Sequence, residues 1–232
     1  MIDFNKIKTG ELAKYPFQTA AFYDLIERDT METLRREYPK DNFIMYERRM
    51  GHDKTYKQCG RHLIIPGEKK PYKEDLLTET WRAFCADLLS DEYRDAMESL
   101  IGQSLKDSYI GVDLWRFDPD SGCYIAPHAD VPWKICTHLF YMVKKWDRDW
   151  GGILSYHDCD KDDDVAFEVL PSMQLSPVLV RSDKSFHSIQ PVNGKAPESR
   201  KVVDIVFYNQ IPPVPKPGRL TSDILDPSTL WD

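Results

Sequence analysis

The apolar positions of the chain change their period near residue 108. Before that point they recur at helical spacing. The stretch Ala20 to Glu27 is amphipathic and predicts a helix, and Asp29 or Thr30 can cap a second one that runs toward Tyr38 and stops at Pro39. Residues 40–73 are polar and mixed, punctuated by Gly51, Gly60, Pro66 and Gly67, and predict loop with a short strand. From Asp75 to Leu89 the apolar residues Leu77, Trp81, Phe84, Cys85 and Leu88 mark another helix. Ser90 caps the next, with Met97, Leu100 and Ile101 on its apolar face and Gly102 ending it.

After residue 108 the pattern becomes short runs rich in β-branched and aromatic residues. They are Tyr109–Phe117, Tyr124–His128, Ile135–Val143, Ile153–His157, Phe167–Leu170, Val178–Arg181 and Lys201–Tyr208. Turn residues separate them, notably Asp118-Pro119-Asp120-Ser121-Gly122, Gly151-Gly152, Pro171-Ser172 and Asn193-Gly194. So many short strands in about a hundred residues predict an α+β chain that is mainly β. Its core is a sandwich or jelly roll, with the N-terminal helices buttressing one face. No repeat and no linker interrupts the sequence, so it reads as a single domain, 1–232. Within it, 1–107 is mainly helical support, 108–209 the jelly-roll core, and 210–232 a Pro-rich C-terminal tail. In that tail Ile211-Pro-Pro-Val-Pro-Lys-Pro-Gly218 cannot donate to a sheet and predicts extended chain.

Composition narrows the functional classes. With 31 basic against 38 acidic residues the net charge is −7, which repels phosphate and argues against nucleic acid as a partner. A hydrophobic fraction of 41% with aromatics at 12% supports a packed core rather than disorder. The apolar runs fall far short of the roughly 20 residues that span a bilayer. The opening MIDFNKIKTG has no apolar stretch behind its charges, so no secretory signal and no membrane partner is expected. Five scattered cysteines, Cys59, Cys85, Cys123, Cys136 and Cys159, form no C-x-x-C pair and predict reduced, mostly buried thiols, as in a cytoplasmic protein.

Candidate chemistry gathers at His128-Ala129-Asp130, with His187 and Arg200 downstream. Positions i and i+2 of a strand face one side, so His128 and Asp130 can aim at one point. A second histidine on a neighbouring strand would complete a two-histidine, one-carboxylate metal face with open positions, the arrangement of non-haem Fe(II) oxygenases. Arg200 opens the last strand, and a guanidinium facing inward there needs an anionic partner. Lys201 is its neighbour and the alternative, though strand alternation turns it the other way. The acidic run Asp158 to Asp164 echoes a calcium loop, but Asp163 stands where the loop needs Gly and Val169 where it needs Glu, so a solvated hairpin turn is expected. Asn193-Gly194 is a turn before the final strand rather than a phosphate cradle.

These segments resemble the Fe(II)/2-oxoglutarate-dependent dioxygenases, in particular their prolyl-hydroxylase-like branch. The resemblance rests on Tyr124-Ile-Ala-Pro-His-Ala-Asp130, Leu139-Phe-Tyr-Met-Val-Lys-Lys-Trp146, Trp150-Gly-Gly-Ile-Leu154, Ser182-Asp-Lys-Ser-Phe-His-Ser-Ile-Gln-Pro-Val192 and Ser199-Arg-Lys201, within residues 108–209. It implies a double-stranded β-helix with Fe(II) on His128, Asp130 and His187, and 2-oxoglutarate and O2 as co-substrates. It also implies Arg200 on the distal carboxylate of 2-oxoglutarate, with Tyr141 hydrogen-bonded to the same group. Strand parity then adds Tyr124 on the face of His128, and Val202, Asp204 and Val206 on the face of Arg200, as substrate-lining candidates. An inward Asp204 wants a cation, such as the amine of an amino-acid-like substrate, or else a hydrogen bond from a neighbouring strand or from water.

The expected activity is hydroxylation of an unactivated C–H bond in a small amino-acid-like or natural-product metabolite. The alternatives are a peptidyl or protein side-chain hydroxylase of the prolyl type and, from another class, a non-catalytic jelly-roll binding module. Nucleic-acid demethylation is disfavoured, because no second arginine follows Arg200 six residues on, as it does in the DNA-alkylation-repair relatives.

Overall fold

A computed structural model describes residues 1–48, 55–159 and 164–212 of the chain. The centre of the acidic run and the Pro-rich tail beyond Pro212 lie outside the described residues.

The N-terminal part carries helices α1 (Phe4–Lys8), α2 (Arg28–Arg36), α3 (Glu79–Leu89) and α4 (Asp91–Ile101). Thr78 caps α3 through a bond from Trp81 N, and Ser90 caps α4 through one from Tyr93 N. Gly102 closes α4 in the left-handed conformation at φ 66°, which glycine adopts without a steric penalty. Two expectations change here. The stretch Ala20 to Glu27 is not a helix, because Thr19–Tyr23 forms strand β1, paired along its whole length with a strand far downstream. Helix α2 starts at Arg28 behind Glu27, with no side-chain cap from Asp29 or Thr30. The mixed stretch after Pro39 supplies β2 (Ile44–Arg48) and β3 (Tyr56–Ile64), so the helical half also contributes strands.

From residue 109 on the fold is β, as the period change predicts. Strands β4 (Tyr109–Phe117), β5 (Tyr124–His128), β6 (Lys134–Tyr141), β7 (Leu154–His157), β8 (Val165–Val169), β9 (Leu175–Val180), β10 (His187–Ile189) and β11 (Arg200–Tyr208) follow in order. All pair antiparallel, in the order β1-β9-β6-β11-β4-β3-β5-β10-β7-β8, with β2 on the side of β3. The order interleaves the strands of a jelly roll. One half is β9-β6-β11-β4, the other is β5-β10-β7-β8, and β3 bridges them by pairing with β4 at Gly60–Ile64 and with β5 at Tyr56–Lys57.

Two apolar clusters hold this arrangement. Outside the larger half-sheet, Trp81, Phe84, Tyr93 and Met97 of α3 and α4 pack on Val112, Leu114, Phe140, Val203, Ile205 and Phe207. Inside, Phe117, Leu139, Tyr141, Leu154, Tyr156, Leu179 and Val202 pack between the half-sheets. Strand β11 shows the alternation directly, since Val203, Ile205 and Phe207 face the helices while Val202 faces inward. No disulfide joins the cysteines among the described residues, and Cys59, Cys85, Cys123 and Cys136 are buried. No helix among the described residues is long and apolar enough to cross a membrane.

Candidate active site: a two-histidine, one-carboxylate centre beside a buried arginine

Between the half-sheets lies a cavity of about 260 Å³, lined among others by His128, Asp130, His187 and Arg200. Antiparallel pairing of β5 with β10 sets His128 directly opposite His187, although 59 positions separate them in sequence, and their rings lie 4.4 Å apart. The tight turn Ser182–Ser185 delivers His187 to this position, with Ser185 N donating to Ser182 O. Strand β5 ends at His128, so Asp130 stands on the turn beyond it rather than on the strand. The turn still brings it back, and one donor atom from each of the three residues lies within 4.8 Å of the others.

Each imidazole is pre-set in one tautomer. His128 Nδ1 donates to Ala126 O at 3.0 Å, and His187 Nδ1 donates to Ser185 O at 2.9 Å. A backbone carbonyl only accepts, so both Nδ1 atoms carry a proton, and Nε2 is the ring nitrogen that each histidine turns toward Asp130. Burial drives the His187 pKa down to about 3, so this ring is neutral at ordinary pH, as ligation requires. Burial alone would raise the Asp130 carboxyl. Lys134, whose Nζ bonds Oδ1 at 2.8 Å, and the two histidines outweigh it and hold the group well below the usual carboxylate range. Two imidazoles and one carboxylate form a donor set that fits a divalent iron ion.

Arg200 is 0% exposed. Its Nε donates to Gly152 O at 2.7 Å, and its guanidinium lies over the rings of Phe117 and Tyr141 at 5.6 and 5.2 Å. Gly152, at φ 65°, makes room for it, because a Cβ there would meet Arg200 Cδ at 3.1 Å and Val192 Cγ2 at 2.9 Å. The terminal nitrogens Nη1 and Nη2 of Arg200, the Tyr141 hydroxyl and the Thr137 hydroxyl are all buried without a hydrogen-bond partner among the described residues. A cationic fork beside unused hydroxyls fits a carboxylate ligand, and leaving such groups unpaired is costly. Lys201 faces away, as alternation predicts, 3.6 Å from Glu198.

The lining candidates divide. Val202 and Asp204 line the cavity, whereas Tyr124 and Val206 are not among the lining residues. Tyr124 departs for a physical reason. His128 pairs with His187 but Ile125 pairs with Ile189, so β5 spends one residue more than β10, and this bulge puts Ile125 on the face of His128. The sequence reading missed Lys134, Asp113 and Trp115, which also line the cavity. Asp113 had a signal, since it is the lone acid in an apolar strand just as Asp204 is. Lys134 follows Asp130 by four positions at the mouth of an apolar strand, which is a usable signal as well. In the remaining cavity, Asp204 Oδ2 accepts from Trp115 Nε1 at 3.1 Å, and burial raises its pKa to about 6. Asp113 accepts from or shares a proton with His62 Nδ1 at 2.7 Å.

A jelly roll that carries two histidines, a carboxylate and an inward arginine in one cavity defines a class of mononuclear non-haem iron oxygenases. The comparison with protein families agrees, for residues 118–207 match the family model of the 2OG-Fe(II) oxygenase superfamily. Among solved structures, a prolyl-4-hydroxylase from Pseudomonas putida is similar at a TM-score of 0.55 and 14% identity, over 89% of this chain and 97% of that one. A prolyl hydroxylase from Trichoplax adhaerens, solved with a hypoxia-inducible-factor peptide fragment, is similar at 0.52 and 14%, over 90% and 88%. The non-haem α-ketoglutarate-dependent epimerase SnoN of nogalamycin biosynthesis is similar at 0.53 and 13%, over 90% and 88%. A comparison with curated proteins finds no match. Residues 118–207 are thus similar to the 2OG-Fe(II) oxygenase superfamily, and the solved structures share the fold.

Proposed function

We propose that the chain hydroxylates an unactivated C–H bond of a small amino-acid-like or natural-product metabolite, with Fe(II), 2-oxoglutarate and O2. The observation that carries this reading is the buried guanidinium of Arg200, both of its terminal nitrogens unpartnered, in the same cavity as His128, Asp130 and His187. In this reading those three residues hold iron. Arg200 clamps the distal carboxylate of 2-oxoglutarate, and Tyr141 donates its hydroxyl to the same group. Bound iron and 2-oxoglutarate supply oxidation of the C–H bond, coupled to loss of carbon dioxide and formation of succinate. The chain's own part is to fix the ligand tautomers through Ala126 and Ser185, to steady Asp130 through Lys134, and to keep water from the reacting atoms.

The cavity volume favours a small substrate, since about 260 Å³ must hold the co-substrate and the reacting group together. Likeness to a prolyl hydroxylase solved with a peptide fragment supports a second reading, a peptidyl side chain reaching into the same cavity. A succinate-release screen over free amino acids, small metabolites and peptides tests both. Turnover coupled to one free compound is expected. Coupling to peptides alone would move the assignment to the second reading, and no succinate with any compound or by itself would overturn the oxygenase.

A further inference from the structure

Opposite the Arg200 end, the cavity is walled by acids and aromatic rings. Asp204 on β11 and Asp113 on β4 stand directly across the strand pair, and both face inward. Like charges in that position repel. Asp113 is offset by His62, and Asp130 is offset by Lys134. Among the described residues Asp204 has one neutral donor, the Trp115 indole on Oδ2, while its Oδ1 is buried with no hydrogen-bond partner. Lys134 acts on it through its charge, yet its hydrogen bond goes to Asp130. Trp115 is set by a missing side chain, because a Cβ at Gly60 would lie 2.2 Å from its ring. Tyr46 meets the Trp115 ring edge to face at 6.0 Å.

Building on the proposed oxygenase, we propose that its substrate carries an alkylammonium group that docks on Asp204 against the Trp115 and Tyr46 rings. A neutral donor would satisfy Oδ1 but leave a buried carboxylate uncompensated, whereas a cation answers both the hydrogen bond and the charge.

Isothermal titration calorimetry on the full chain tests this with matched probes. They are n-butylamine against 1-butanol, L-proline against N-acetyl-L-proline, L-lysine against its doubly acetylated form, and a proline-containing peptide with blocked ends. At least one amine should bind about tenfold or more tightly than its uncharged partner, and Asp204→Asn should abolish that preference. Asn keeps an acceptor for the Trp115 indole and the shape of the site. No amine preference in any pair, a preference that survives Asp204→Asn, or binding by the blocked peptide alone would each overturn the proposal. A parallel mixture with Fe(II) and 2-oxoglutarate, read as succinate release without substrate, separates the two claims. Succinate without amine preference sinks this inference alone, and amine preference without succinate sinks the oxygenase alone.

Discussion

The two faces of strand β6 treat polar groups in opposite ways. On the helix side, His138 is fully buried, and both ring nitrogens are used. Tyr93 Oη donates to Nδ1 at 2.8 Å, and Nε2 bonds Ser176 Oγ at 2.8 Å, whose own proton goes to Leu139 O at 2.6 Å. Burial pushes the His138 pKa down to about 3, so the ring is a neutral part of the core. On the cavity side, Thr137 and Tyr141 of the same strand, with Arg200 and Asp204 of the next, hold buried polar atoms that nothing in the described chain satisfies. A completed network is a structural device, while an incomplete one that faces a cavity is addressed to a ligand.

The contrast can be broken at several points. The largest expected effect is at the metal face, where His128→Ala, Asp130→Ala and His187→Ala should each lower iron-dependent turnover by more than about a hundredfold with the circular dichroism unchanged. Asp130→Ala should keep the most residual turnover, because water or an added anion can take a carboxylate's place. On the other face, His138→Ala should cost about 2 to 4 kcal/mol in urea unfolding, from a buried void and two lost hydrogen bonds, with iron and 2-oxoglutarate affinity unmoved. A destabilised metal site in that variant would erase the distinction between the faces.

Arg200→Ala should raise the 2-oxoglutarate requirement about tenfold or more, as loss of a charge-assisted pair worth roughly 1.5 to 3 kcal/mol implies. An unchanged requirement beside a crippled Lys201→Ala would transfer the role to Lys201.

The pH dependence should differ in sign across the strand. His138 has a folded pKa below its unfolded 6.5, so its contribution is lost as the pH falls below that value. Asp204 has a folded pKa near 6 against 3.8 unfolded, so ionising it costs stability as the pH rises from about 4 to 6. Asp204→Asn should therefore stabilise the metal-free chain at pH 8, by on the order of 2 kcal/mol, and lose that gain below pH 4. Thermal unfolding of the variant and the parent across this range reads the difference, and a gain that grows on acidification would contradict it.

Much of this organisation is legible in the sequence, for reasons that particular elements show. Strands β4 and β5 match the expected bounds residue for residue, because alternation and a turn rich in Asp, Pro and Gly set both ends locally. The caps at Ser90 and Gly102 read equally well. Strand β1 does not, since Thr19-Ala-Ala-Phe-Tyr is apolar enough to extend a helical pattern, and its pairing with β9 decides the matter from more than 150 residues away. The gathering of His128, Asp130 and His187 is legible because two histidines and a carboxylate fall on motif segments. The face of Tyr124 is not, because one bulged residue inverts the parity that an ideal strand would give. Asp113 and His62 escape for a related reason, as each gains its meaning from the residue across the strand pair.

The account stands most directly on the claim that the cavity's unpaired groups are addressed to iron and 2-oxoglutarate. Mixing the chain with Fe(II) and 2-oxoglutarate under anaerobiosis, and recording the visible spectrum, tests it. A weak charge-transfer band that vanishes in Asp130→Ala and needs more 2-oxoglutarate in Arg200→Ala is the expected result. No band and no retained iron in the parent chain, with the fold intact, would contradict it and leave a jelly roll that binds something else.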